Sequence, residues 1–298
     1  MRYFLIMVVG FVLNSHSTFS QRNFKSKLET LNQQLIEAAL TKKFQRAERL
    51  YSDSTILMAE YQPVLDGKRQ IMAYYSEMFS RQDLKTYNRQ TMEITDFGNL
   101  ILEIGLFQKE FADGNKLKGK YFNSWSVNEN GDFSLRAECF GFFGEPENKQ
   151  DYRVMDLLDE NEPLKGRKGK KIPKEIQAYN AFGENLVRDR NTQGVVDAYT
   201  KDGVYFPFAD TAKTGYQELL THFTQYHSHP VKIDSIEVWA HDYDWVPGGL
   251  VKYNKFWVKW TVPDGYTGVS SGAGISYWKK IGDEYLRHRQ VATHIHQP

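Results

Sequence analysis

Histidines and polar partners accumulate in the later part of the chain, on segments that otherwise read as core. His288 and Gln290 lie in the run Leu286 to Ala292, and His241 and Asp242 lie in the run Ser235 to Tyr243. His222 falls on a helical stretch with Leu219, Leu220 and Phe223. An imidazole titrates near neutrality, so His288 or His241 could act as general acid or base once burial and neighbours tune it. Asp242 could orient such a group or serve as the base, and Tyr205 or Tyr253 could donate a hydrogen bond to a developing oxyanion. Tyr253 and Trp257 share one face of a strand, which with His222 and Gln290 would supply ligand contacts. The chemistry that suits this set is proton transfer beside a carbonyl, isomerisation, dehydration or hydration of an apolar or aromatic compound. His241 and Asp242 are adjacent, and in a regular strand neighbouring side chains point to opposite faces.

The elements that must position these groups are written twice. A shift of 148 lays Asn32 on Asn180, Tyr51 on Tyr199, Gly67 on Gly215, Ile71 on Leu219 and Tyr75 on Phe223. After small gaps Trp125 meets Trp278, Gly131 meets Gly282, and Leu135-Arg136 meets Leu286-Arg287. Copies of this length are two domains rather than a solenoid, whose repeats are shorter. Each copy begins with apolar residues at helical spacing: Leu28, Leu31, Leu35 and Ala38 in one, Ile176, Tyr179, Phe182 and Leu186 in the other. A brief apolar strand, a glycine and another helix follow. The period then changes to two, as in Leu100 to Phe107. Helices first and strands afterwards mean α+β, with helices packed on one face of a sheet.

The order helix, Tyr-x-(x)-Asp, short strand, glycine before a helix, and long strands ending in Trp, Gly and Leu resembles the nuclear transport factor 2-like superfamily. The resemblance is to its SnoaL-like and ketosteroid-isomerase-like branch. It rests on Tyr51-Ser52-Asp53, Gly67 and Trp125 in the first copy, and on Tyr199-Thr200-Lys201-Asp202, Gly215 and Trp278 in the second. It implies two cone-shaped domains, each a strongly curved antiparallel sheet wrapped around N-terminal helices, with an apolar pocket at the mouth. Gly105, Gly119, Gly272 and Gly274 could supply the bends. The family's catalytic carboxylate has no secure counterpart, Glu60 and Asp210 being the nearest candidates.

The expected organisation is a signal peptide over 1–20, a first domain over 21–143, a linker over 144–173 rich in charge, Gly and Pro, and a second domain over 174–298. The two copies differ on the last strand. Leu135, Ala137, Cys139 and Gly141 are read as one apolar face, and Leu286, His288, Gln290 and Ala292 as its counterpart. A polar group facing a core without a partner costs roughly 1–3 kcal/mol, so the functional pocket is expected in the second domain. The alternative is a non-catalytic interaction module, with sheet faces packed on each other as a pseudo-dimer within the chain, or on a second chain. Phe107, Trp125 and Trp278 are assigned to those outer faces.

Composition narrows the classes. The formal charge is +1, so nothing favours nucleic acid or an anionic membrane. Arg2 followed by the apolar run Tyr3 to Leu13 suits a signal peptide cut near Ser20, and predicts export to the periplasm or beyond without a membrane anchor. Cys139 is the only cysteine, which excludes an internal disulfide, and its apolar neighbours suggest a core residue. His227-Ser228-His229 and His294-Ile295-His296 have the spacing of metal ligands on a strand, but no third ligand is indicated, and no metal or cofactor is expected. No phosphate loop, dinucleotide fingerprint or nucleophile elbow is present.

Overall fold

The computed structural model describes residues 24–155 and 170–296. The expected signal peptide and the middle of the expected linker lie outside the described residues. The first half opens with a helix over residues 24–40 (α1), then β1 (Tyr51–Ala59), β2 (Leu65–Asp66) and α2 (Lys68–Arg81). Four long strands complete it: β3 (Leu84–Asp96), β4 (Leu100–Phe111), β5 (Lys116–Val127) and β6 (Phe133–Phe142). The second half repeats the plan with α3 (Lys174–Arg188), α4 (Thr192–Asp197), β7 (Tyr199–Phe206), β8 (Lys213–Thr214) and α5 (Gly215–Ser228). Its long strands are β9 (Lys232–Val246), β10 (Gly249–Thr261), β11 (Thr267–Ile281) and β12 (Glu284–His296). The sheet orders are the same, β2-β1-β6-β5-β4-β3 and β8-β7-β12-β11-β10-β9. The class is α+β. Each sheet is mixed, because β1 runs parallel to β6 and β7 parallel to β12.

Local chemistry explains the joints. Gly67 takes φ +83° as the residue before α2, and a Cβ there would lie 3.0 Å from the Asp53 carbonyl oxygen. Its counterpart Gly215 takes φ +74° at the start of α5. Both conformations favour glycine, which explains why the residue recurs after 148 positions.

The interiors differ. In the first half α1, α2 and the inner sheet face share one continuous cluster, including Leu28, Leu35, Tyr75, Phe107, Tyr121 and Trp125. In the second half the interior is divided into small clusters. One is built on Ile176, Leu250 and Trp278, one on Leu186 and Val195, and one on Val196, Tyr199 and Leu219.

The outer sheet faces pack on each other. Ile56, Met58, Leu102, Phe122, Ala137 and Cys139 from the first half share a buried cluster with Val251, Tyr253, Ala273, Ile275, Tyr277 and Val291 from the second. The rim carries two related ion pairs. Arg136 reaches Asp242 at 2.7 Å, and Arg289 reaches Glu93 at 2.7 Å. The backbone N–H of Tyr61 also donates to the His294 carbonyl at 2.7 Å. Each half thus offers the same face to the other, as in an isologous contact.

Trp125, Phe107 and Trp278 are not on these outer faces. All three are buried inside their own halves, and Trp125 Nε1 donates to Glu103 at 2.9 Å. The presumed common face of Leu135, Ala137 and Cys139 is also split. Ser124 pairs with Ala137 but Trp125 pairs with Leu135, leaving Arg136 as an extra residue. This bulge turns Leu135 inward, and Ala137 and Cys139 toward the other half.

Candidate functional site

β12 carries the matching bulge. Tyr277 pairs with Arg289 and Trp278 with Arg287, so His288 is the extra residue. A one-residue slip reverses every side chain beyond it. Arg287 therefore corresponds to Leu135, His288 to Arg136, Gln290 to Glu138, Ala292 to Phe140 and His294 to Phe142. Arg287, Gln290, Ala292 and His294 line an interior cavity of about 610 Å³ in the second half. In the first half the equivalent space shrinks to about 20 Å³ beside Glu138 and Phe140.

Substitutions at matched positions account for the hollow. Tyr121 opposes Gly105 on β4, and Gly274 opposes Asn254 on β10. The register thus puts Gly274 where the first half has a tyrosine. By strand register Phe140 gives way to Ala292 and Arg89 to Val238, and by the shift of 148 Leu35 on α1 gives way to Gly183 on α3. Each exchange removes several heavy atoms from one interior, and packing that would close it is absent.

The polar end of the cavity centres on Lys252. Its Nζ donates to Asn180 Oδ1 at 2.7 Å and lies 4.4 Å above the Trp278 ring. Burial, helped by the Arg287 guanidinium, pushes the Lys252 amine down to about 7. Arg287 lies 5.1 Å from both the Trp278 and the Tyr199 ring centroids. Tyr199 OH donates to Gln290 Oε1 at 2.6 Å. Asn254 Nδ2 donates to Ser276 at 3.1 Å, while its buried Oδ1 has no hydrogen-bond partner among the described residues. His227 receives or gives a hydrogen bond at Nδ1 with Thr192 at 2.8 Å, and its Nε2 is likewise buried without a partner there. Among the described residues, no Asp or Glu lines the cavity.

Three of the sequence candidates line this space: Tyr205, His222 and Gln290. Tyr205 packs edge-on against His222 with ring centroids 5.7 Å apart. Burial, and then Lys213, lower the affinity of His222 for a proton. Five lie elsewhere. His288 is turned by the bulge toward Thr200, at 2.9 Å, and Tyr277. Burial, then Arg289 and Lys279, hold it down at about 4. His241 is itself a bulged residue, since Tyr253 pairs with Asp242 and Asn254 with Ala240. His241 and Asp242 therefore both reach the first half, contrary to strict alternation. His241 Nε2 lies 3.0 Å from both Asp66 carboxylate oxygens. Asp242 is bound by Arg136 and Lys170, and although burial opposes its charge these cations hold it at about 2. Tyr253 OH donates to Asp244 at 2.7 Å and also bonds Ser124 at 2.9 Å across the halves. Trp257 alternates on β10 with the lining residues Phe256 and Val258 and is not in the lining.

Glu60 and Asp210 are also outside the cavity. Glu60 is buried in the first half, accepting from the Phe142 N–H at 2.6 Å, and burial raises it to about 7. Asp210 pairs with Lys213 at 2.9 Å. Lys252, Asn180 and Arg287 were missed, although a shift of 149 does lay Lys252 on Glu103 within an apolar alternation. His227, His229 and His294 line the cavity rather than forming a metal group, and no cluster of three or more His, Cys, Asp or Glu suited to a metal occurs among the described residues. The side chain of His296 lies outside them.

No protein-family model matches the sequence, and no curated protein matches it significantly. Among solved structures, a ketosteroid isomerase-like protein from Erwinia carotovora atroseptica is 16% identical. The match covers 41% of this chain and 95% of that one, with a TM-score of 0.36. A nuclear transport factor 2 superfamily protein from Salmonella enterica is 13% identical over 41% of this chain and 92% of its own, at 0.35. A Catenulispora acidiphila protein solved in complex with S-DNPA is 16% identical over 41% and 91%, at 0.34. Over about two fifths of its length the chain is similar to these nuclear transport factor 2-like and ketosteroid isomerase-like structures. No helix among the described residues is long and apolar enough to cross a membrane.

Proposed function

We propose that the second nuclear transport factor 2-like half binds a small, largely apolar or aromatic compound that presents a carbonyl or carboxylate oxygen to Lys252 and Arg287. The observation that carries this reading is a cavity of about 610 Å³ whose lining, among the described residues, holds cations and no carboxylate. Ligand sites commonly fall between about 300 and 1,000 Å³ and combine apolar walls with a few convergent polar groups. Tyr205, Phe223, Phe256 and Trp278 supply the walls. Asn254 Oδ1 and His227 Nε2 would gain partners when a ligand or its water enters.

Acid–base chemistry on the bound compound is part of the proposal, with Lys252 and His222 as its titratable groups in place of His288 and His241. Among the described residues of this lining there is no carboxylate to serve as base. The test is titration of the full chain with 6-methoxy-2-naphthoate, an aromatic acid, following tryptophan fluorescence. Saturable binding that Ala292→Phe weakens by about tenfold or more supports the reading. Binding that is absent, or indifferent to Ala292→Phe, overturns it.

The sheet faces bear on the alternative of an interaction module. Their central residues are buried between the two halves, so those faces serve the chain internally.

A further inference from the structure

The position of Lys252 is unusual for a group whose task is only to attract an oxygen. An ammonium has three donors, yet among the described residues Nζ makes one hydrogen bond, to Asn180 Oδ1. The residue is 2% exposed. Among the described residues the charge that acts on it is not a carboxylate but Arg287, of the same sign. A buried ammonium is normally paired with an anion. Here the amine lies against the Trp278 indole at one end of an apolar chamber, with a second cation over the same ring. Burial in an apolar pocket beside another cation is the environment that keeps a lysine amine neutral and nucleophilic.

The first half provides an internal comparison. Glu103, at the matched position, receives hydrogen bonds from Asn32, Thr91, Tyr121, Asn123 and Trp125 at 2.6–3.2 Å. That carboxylate is saturated and its surroundings are filled. In the second half Tyr121 is replaced by Gly274, and Trp278 Nε1 turns to Ser276 at 2.8 Å. The amine of Lys252 is therefore left facing space that its counterpart does not have.

We propose that Lys252 is a nucleophile whose amine condenses reversibly with an aldehyde or ketone held in the cavity, giving an imine. This rests on the binding reading above and names the ligand as a carbonyl compound. The nitrogen lone pair forms the new C–N bond while the C=O π pair moves onto oxygen. That oxygen takes up the proton lost from nitrogen, giving a carbinolamine. The remaining N–H proton and the hydroxyl then leave together as water, and the nitrogen pair closes the C=N bond. No oxidant or reductant is required. Asn180 Oδ1 holds the amine in place, and the Arg287 guanidinium is the donor available to the developing oxyanion. Asn180 is a positioning residue in this scheme.

The experiment treats the full chain with 6-methoxy-2-naphthaldehyde and sodium cyanoborohydride near neutral pH, with peptide mapping by mass spectrometry. One reduced adduct on the Lys252 peptide is expected, formed on the order of a hundredfold faster than adducts elsewhere, because an ordinary lysine amine is a poor nucleophile at that pH. Lys252→Met and Lys252→Arg should both lose this fast adduct while keeping the circular dichroism of the parent. Labelling that is spread over surface lysines, or equally fast in both variants, overturns the proposal. The naphthoate titration separates the two ideas. Binding of the acid without a Lys252 adduct from the aldehyde rejects the imine and leaves the binding reading standing. Failure of both ligands to bind rejects both.

Discussion

Lys252 occupies in the second sheet the position of Glu103 in the first, and each is hydrogen-bonded to the asparagine of its leading helix. Asn180 accepts from the lysine through Oδ1 at 2.7 Å, whereas Asn32 donates to the glutamate through Nδ2 at 2.6 Å. A primary amide serves either charge by turning over. The pairing of helix and sheet is thus kept while the sign of the buried charge is reversed.

That reversal predicts a pH-dependent stability. The folded-state Lys252 amine is lowered to about 7 from an ordinary 10.5, chiefly by burial. Between these values the unfolded chain binds the extra proton, so the wild type gains stability as pH rises through this window. Lys252→Met should therefore be more stable than the parent at neutral and lower pH, by on the order of a few kcal/mol. The difference should fade toward pH 10.5. Urea midpoints across that range check it, and an unchanging difference would refute it.

Ala292 stands where the first half has Phe140, beside a cavity instead of a filled core. Ala292→Phe should restore the first half's packing. We expect naphthoate affinity to fall by about tenfold or more, equivalent to about 1.4 kcal/mol, with a melting temperature unchanged or raised. Crystallography of the variant would show whether the ring occupies the chamber.

His288 invites mutation on sequence grounds, but it faces Thr200 and Tyr277. His288→Ala should leave naphthoate affinity unaltered and lower stability by about 1 kcal/mol through loss of a buried hydrogen bond. Calorimetric titration beside a denaturation curve distinguishes these effects. A large loss of affinity with normal stability would return His288 to the site.

Arg136 joins the halves through Asp242 and Asp244, at 2.7 and 3.0 Å. Arg136→Ala leaves Asp242 buried with one cation fewer, and removing one partner of a buried pair costs about 3–5 kcal/mol. Asp242 is held at about 2, below its ordinary 3.8. The stability it contributes is present above the higher value and is lost as pH falls through the lower one. The deficit of Arg136→Ala should consequently shrink in acid, and denaturant midpoints measured from neutral to low pH would test this.

The duplication, the α+β class and the order of elements were legible because glycine, tyrosine and tryptophan markers recur at nearly constant spacing. Gly67 and Gly215 are required by the same backbone conformation. The faces of the long strands were not legible. Extra residues at Arg136, His241 and His288 break the alternation, and nothing in their types announces a bulge. Gln290 does line the interior, but the alternation that put it on one face with His288 is broken by the bulge between them. Lys252 escaped notice because a charged residue within an apolar strand reads as an exception. Its match to Glu103 needed the shift of 149 that the registers supply.

The face-to-face contact between the halves has a consequence for specialisation. In a symmetric pair of separate, identical polypeptides, any replacement that empties one interior empties its twin, and the loss of packing is felt at both places. Joined as one gene product, the partners can hold a common seam and still diverge behind it. The densely filled member then acts as a permanent scaffold, against which its neighbour can tolerate a large void.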